Sequence, residues 1–176
     1  MAVLPILIAP HPVLAARARR VEAHEFGPEL ARRLSDMAET MYAAPGVGLA
    51  GPQVGDGRRL VVLDPGPKSA RGVRFFALVN PEVVERAEST IDWDETCLSV
   101  PDVEVKCRRI RRIRVAWQAA EDGAPCEGWF SDYEAVIVQH ELDHLEGTVL
   151  LDKVSFFTRS RYLKRIRLRE AQGVSP

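Results

Sequence analysis

No stretch of this 176-residue chain approaches the roughly 20 consecutive apolar residues that a membrane-spanning helix needs, so no membrane span is expected. Cysteine is scarce and odd in number. Cys97, Cys107 and Cys126 form no CxxC pair, which argues against a disulfide framework and for a reducing, cytoplasmic compartment. Charge of one sign is not in excess either: 24 Lys and Arg stand against 25 Asp and Glu, so nothing indicates a uniformly basic nucleic-acid binder. The opening MAVLPILIAPHP lacks the positive residue that precedes a signal peptide's apolar core and is broken by three prolines, so it reads as mature protein. Arg17, Arg19 and Arg20 leave a transit-peptide alternative, which Glu22 and Glu25 weaken. Repeats, low-complexity tracts and linkers are all missing. With 46% hydrophobic residues, one compact domain over residues 1–176 is expected, because a chain of this size buries roughly 70% of its unfolded surface.

What is present begins with helical periodicity. Leu30, Leu34, Met37 and Met41 recur at steps of four, three and four between Pro28 and Ala44, which predicts one apolar helix face with Pro28 in its first turn. From Ala44 to Gln53 glycines and prolines oppose helix and permit unusual backbone shapes, marking a candidate site loop. Strands are predicted at Arg59–Asp64 and Val73–Asn80, with Glu82–Ala87 continuing the sheet. Ile110–Gln118 alternates as a half-buried strand, with Ile113, Val115 and Trp117 on one side, and a short strand follows near Cys126–Phe130. Ser131 and Glu134 have capping-box spacing, which predicts a helix over about 132–146 with Ser131 as N-cap and Gly147 as its stop. A third helix is predicted over about 156–170, with Phe156, Leu163 and Ile166 on its apolar face. Residues 153–170 carry +6, leaving −7 on the rest of the chain. Strands in the middle and helices around them read as α+β, with mixed or antiparallel strands.

The strongest chemical signal is His140-Glu141-Leu142-Asp143-His144. Histidines at i and i+4 share a helix face and can bind one divalent cation, with Glu141 beside them as a base. Chance placement of two histidines is the bland alternative, but the chain has only four, and His11 and His24 lie in turn-like sequence that suits the surface. A catalytic metal commonly takes three protein ligands and keeps one open position. The metzincin third-ligand position is occupied by Leu150, which ends that reading. Cys97, in the polar stretch DETCLSVP, is the better candidate, whereas Cys107 and Cys126 lie near strands and suit buried thiols. Tyr133 and Ile137 precede His140 and His144 at steps of four, three and four, so they are expected on the same side, lining a substrate pocket with Val47. Ordinary core packing is the alternative for both. Asp143 points elsewhere on the helix, to pair with an Arg or support a ligand.

Three segments together, Gly46–Gln53 (GVGLAGPQ), Glu95–Ser99 (ETCLS) and His140–Gly147 (HELDHLEG), resemble peptide deformylase in content, order and spacing. The resemblance runs from the first residues to about Lys153. It implies one divalent metal held by Cys97, His140 and His144, Fe2+ in cells with Zn2+, Ni2+ or Co2+ as substitutes. It further implies that Glu141 is the catalytic glutamate, and that the Gln53 side-chain amide and the Leu98 backbone N–H hold an oxyanion. Gly46 and Leu98 match positions that contact substrate through the backbone, beside Gly48 in the same loop. The implied substrate is the N-formyl group of the initiator methionine on nascent peptides. The basic C-terminal helix suggests a ribosome contact, and a monomer is the simplest expectation.

Two positions depart from the family pattern. Thr96 stands where glycine usually precedes the cysteine, and Gly51 stands where alanine is usual. A β-branched residue resists positive φ and adds bulk beside the metal, so altered substrate geometry is an expectation. Residues 102–104, acidic at both ends, fall where an arginine or other contact residue is common. The alternatives these departures raise are hydrolysis of another N-acyl amide, or a weakly active metal- or ribosome-binding protein.

Overall fold

A computed structural model describes residues 2–172. Helix α1 (Pro28–Ala43) begins as expected, with Pro28 at its first position behind Gly27 at φ 136°. Leu30, Leu34, Met37 and Met41 are all buried, so the periodic face is the packed face. The strands are β1 (Gly48–Ala50), β2 (Leu60–Leu63), β3 (Phe76–Arg86), β4 (Thr90–Cys97), β5 (Val100–Ile110), β6 (Arg112–Gln118) and β7 (Pro125–Ser131). They form a five-stranded sheet in the order β1-β2-β3-β6-β7 and a separate β4-β5 hairpin, every strand pair being antiparallel. Helix α2 (Tyr133–Leu145) lies against the five-stranded sheet, sharing a core with Leu63, Leu78, Ile113, Val115 and Phe130. On the β1-β2 side, α1 packs on Leu60, Val62 and Val79. The architecture is α+β.

Several local expectations are corrected. The apolar runs at 73–80 and 82–87 are one strand, β3, whose register shifts between Val79 and Glu82. Ile110 closes β5, and β6 starts at Arg112. The glycine-rich loop contains strand β1 and a 3-10 turn over Gly51–Val54, a tighter coil that Gly and Pro tolerate in short pieces. Ser131 is no cap: it pairs with Arg112 as the end of β7, and Asp132 at φ 50° is the N-cap, with no side-chain cap bond. Gly147 does end the helix. At φ 74° its N–H donates to His144 and the next N–H, of Thr148, donates to Asp143, a Schellman closure one turn past the second histidine.

The C-terminal helix α3 (Phe156–Ala171) keeps its predicted range, and Leu163 and Ile166 of its predicted face pack inward, but Phe156 does not. Phe156 is 82% exposed, and Tyr162 and Ile166 are the buried residues, packed on Cys97, Val100 and Cys107 of the hairpin, with Leu163 half-buried. Cys107 is buried as expected, whereas Cys126 is only half-buried.

Candidate active site

The three ligand candidates come from two elements. His140 and His144 sit on consecutive turns of α2, their rings edge to face with centroids 5.2 Å apart. Cys97 ends β4, and the hairpin brings its Sγ to 3.3 Å from His144 Nε2. One ligand atom from each of Cys97, His140 and His144 lies within 4.8 Å of the others. Cys97 and His144 are buried and His140 half-buried, so the donors converge with little solvent between them. A thiol and two imidazoles in this arrangement are the donor set of a tetrahedral divalent-metal site with one open position.

The hairpin also orients the histidine that faces the cleft. Glu95 lies two residues before Cys97, hence on the same strand face, and its Oε2 sits 2.8 Å from His140 Nδ1. That contact leaves His140 Nε2 for the cluster. Arg109 grips Glu95 with two bonds of 2.6 and 2.8 Å and reaches Asp143 at 2.7 Å, where Lys153 also donates at 2.5 Å. Burial disfavours charge on Glu95, yet donation from Arg109 and His140 outweighs it and holds the carboxyl down at about 2. The two imidazoles are driven apart: hydrogen bonding to Cys97 and Glu95 overcomes burial and pushes His140 up to about 10, while burial pushes His144 down to about 3. A histidine ligand must be neutral, so a divalent cation bound here would displace the proton that His140 holds.

Glu141 is 4% exposed and lines the cleft. Burial pushes its carboxyl up to about 7, and among the described residues its Oε2 has no hydrogen-bond partner. A carboxyl poised near neutrality, with a free oxygen, can take and return a proton. Gly48 makes the room: a Cβ there would collide with Glu141 Oε1 and lie 2.9 Å from its Cδ. Gln53 is fixed by its own 3-10 turn. Its Oε1 accepts from the Ala50 N–H at 2.8 Å, which turns Nε2 toward Cys97 Sγ at 3.7 Å and Ser99 Oγ at 3.2 Å.

These groups edge a cleft of about 340 Å³, near the lower end of the roughly 300–1,000 Å³ typical of ligand sites. The residues expected to line it do so: Gly46, Val47 and Gly48 from the glycine-rich loop, Leu98 just past β4, and Tyr133 and Ile137 on the helix. His144 lies deeper, at 1% exposure. Trp93, which sequence reasoning missed, stacks on Tyr133 with centroids 5.1 Å apart. Glu95 and Arg109 were missed as partners too. Glu95's spacing from Cys97 was a usable signal once that stretch is known as strand; Arg109 offered none. Asp143 pairs with an arginine, as expected, and His11 and His24 are exposed.

Both departures from the family pattern fit this backbone. Thr96 lies in β4 opposite Glu104, outside the positive-φ residues, and its side chain is exposed, so its β-branch meets no conformational penalty. Gly51 is required here: a Cβ would stand 2.7 Å from the Arg58 carbonyl oxygen and 2.8 Å from that of Asp56.

The model of the polypeptide deformylase family matches residues 3–160. Peptide deformylase of Desulfotalea psychrophila is 41% identical over 167 residues, 95% of this chain and 96% of that protein. The crystal structure of a peptide deformylase from Legionella pneumophila superimposes with a TM-score of 0.86 at 32% identity, covering 99% of this chain and 100% of the other. A Met-Ala-Ser-bound class I type b peptide deformylase from Acinetobacter baumannii gives 0.78 at 32% identity, covering 87% and 99%.

Proposed function

The chain belongs to the polypeptide deformylase family, and on that premise we propose that it removes the N-formyl group from the initiator methionine of new proteins, releasing formate. The observation that carries the reading is the convergence of one thiol and two imidazoles beside a buried glutamate with a free oxygen. The matches give no support to another N-acyl amide as substrate or to an inactive binding role.

Cys97, His140 and His144 would hold the metal, and the Cys/His donor set accepts Fe2+, Zn2+, Ni2+ or Co2+, with Fe2+ our choice for the cell. When bound, such an ion supplies Lewis acidity, making water acidic enough to act as a nucleophile near neutral pH. Glu141 takes a proton from that water as it attacks the formyl carbon, and returns one to the departing amine. The Gln53 amide, its donor end already aimed inward, and the Leu98 backbone N–H donate to the oxyanion. Gly46, with Gly48 beside it, holds the substrate backbone, and Tyr133, Ile137 and Val47 enclose the methionine side chain. The C–N bond breaks, formate leaves, and a free amino terminus remains. The Met-Ala-Ser peptide on the Acinetobacter baumannii protein is chemically such a product, which supports the assignment.

Residues 1–176 form one catalytic domain acting in the cytoplasm as a monomer, a reading supported by a site supplied entirely by one chain. Among the described residues no helix is long and apolar enough to cross a membrane. The basic face of α3 contacts the ribosome. The central test is formate release from an N-formyl-methionyl peptide by protein loaded anaerobically with Fe(II), and separately with Zn(II). Turnover is expected; its absence with both metals at full occupancy refutes the reading.

A further inference from the structure

Helix α2 turns two neighbouring faces to two different tasks. At about 100° per residue, His140 and His144 share one face, and Gln139 and Asp143 share the next one round. The second face is held against the end of β5. Asp143 meets Arg109 there, and Gln139 meets the following residue, Ile110. Gln139 is outside the lining of the cleft, so nothing in the proposed chemistry accounts for it.

The Gln139 side chain grips main chain. Its Oε1 accepts from the Ile110 N–H at 3.0 Å, and its Nε2 donates to the Ile110 carbonyl oxygen at 2.8 Å, so the amide pairs with one strand residue as an adjacent strand would. Nε2 also donates to the Ala135 carbonyl oxygen at 2.8 Å, one turn back along the helix. Both amide hydrogens and the amide oxygen are therefore committed. A flipped amide would set N–H against N–H at Ile110 and oxygen against oxygen at two carbonyls, which leaves one allowed orientation. Arg109 crosses the same junction through pairs of side chains, each with rotamers of its own. Gln139 crosses it through one side chain, fixed at three points.

Cys97 arrives on the hairpin and both histidines on α2, so the spacing of the three donors depends on how the helix sits along the hairpin. A divalent metal accepts donors within about 0.2 Å of its preferred distances. A slip of α2 by even a fraction of its rise of about 1.5 Å per residue exceeds that tolerance, and it strains both bonds to Ile110. We propose that Gln139 is a positioning residue, whose two bonds to the Ile110 main chain set the register of α2 on the hairpin and thereby the geometry in which Cys97, His140 and His144 take their metal. Its kinetic consequence rests on the deformylase reading; its consequence for metal binding does not.

The test compares the parent with Gln139→Met, which keeps the helix propensity of glutamine and removes all three bonds. Each protein is titrated with Co(II), and its affinity, ligand-field bands and thiolate-to-cobalt absorption are recorded at a temperature where circular dichroism shows it fully folded. Affinity is expected to fall about tenfold, the lower end of the range for groups that orient metal ligands, with altered ligand-field bands. With metal at full occupancy, kcat for an N-formyl-methionyl peptide should fall about tenfold while KM stays within twofold. The Ile110 amide, its acceptor removed, should exchange its hydrogen faster. Gln139→Glu keeps the accepted bond and loses the two donated ones; a weakening in the same direction is expected, which keeps the test open if the Met protein does not fold. Parent-like cobalt affinity and spectrum in a folded variant, even one with a lowered melting temperature, overturn the assignment and leave Gln139 a purely structural residue. Absence of turnover in the parent removes the deformylase reading, while the cobalt measurements still decide the role of Gln139.

Discussion

Gly48 has its side-chain space filled by another residue's carboxylate. Any Cβ there displaces Glu141, whose free oxygen is the proposed proton acceptor. A Gly48→Ala protein should therefore keep its metal, measured by elemental analysis, and lose about 100-fold in kcat, the scale of an ångström-sized misplacement. Unchanged kcat would show that Glu141 has room to move. Gly51 differs in kind, because the atoms crowding it are two backbone carbonyls that cannot swing aside. Gly51→Ala, although it restores the family's usual residue, should destabilise this chain by about 1–3 kcal/mol, read from the denaturant midpoint. The sequence flagged Gly51 and Thr96 as departures but could not weigh them. Whether a methyl group fits is decided by atoms of Asp56 and Arg58 above Gly51, and by the solvent around Thr96.

At the scale of elements, the β4-β5 hairpin and α2 make the site together, and Arg109 is the joint. It ties Glu95 of the hairpin to Asp143 of the helix while nearly fully buried itself. Arg109→Met fills similar volume but leaves the buried Glu95 without its main partner. A loss of about 3–5 kcal/mol in unfolding free energy is expected, because an uncompensated buried charge remains. A Met variant as stable as the parent would mean Glu95 is satisfied elsewhere. Helix α3 divides its basic residues between two uses. Lys153, just before its start, and Arg159, in its first turn, pair with Asp143 and Asp152, and Arg165 and Arg169 reach Asp102 of β5. Among the described side chains, Arg161, Lys164 and Arg167 have no carboxylate partner. Cutting α3 away would also expose the core under Tyr162 and Ile166, so truncation confuses binding with folding. Reversing Arg161, Lys164 and Arg167 to Glu should abolish salt-sensitive ribosome cosedimentation while leaving the melting temperature within a few degrees. Unchanged cosedimentation would reject the contact.

Across the whole molecule, the charge asymmetry is partly internal: the basic tail closes onto acidic residues of the −7 body instead of standing apart from it. The N-terminal segment is fastened in the same currency. Arg19 bonds Glu25 and holds its carboxyl down at about 2, and Asp56, though burial opposes its charge, is held below the usual range by Arg58 and Arg33. Both folded values lie below the unfolded ones, about 4.3 for Glu and 3.9 for Asp, so the stabilisation is complete above those values and disappears as pH falls through the folded ones. Denaturant midpoints should fall steadily between about pH 5 and pH 2. Asp56→Asn should flatten part of that slope, and an unchanged slope would remove Asp56 from the account.

What the sequence determined by itself is local. Periodicity in steps of three and four placed α1, because side chains one turn apart share a face whatever the surroundings, and capping-box spacing with Gly147 bounded α2 although Ser131 is not the cap. It also put His140 and His144 within reach of one ion, and the three motifs chose Cys97 and Gln53 as their companions. The tertiary structure decided everything that joins distant segments. DETCLSVP read as a polar stretch because its strand buries only alternate residues, Glu95 and Cys97, and one of these is charged. Glu95 meets His140 across 45 residues and Arg109 meets Asp143 across 34, and no local rule selects such partners. Phe156 looked like core and Tyr162 did not, yet the hairpin's position buries the tyrosine and leaves the phenylalanine in water. The chain's residue types specify which chemistry can occur; only packing specifies which atoms are left without a partner to perform it.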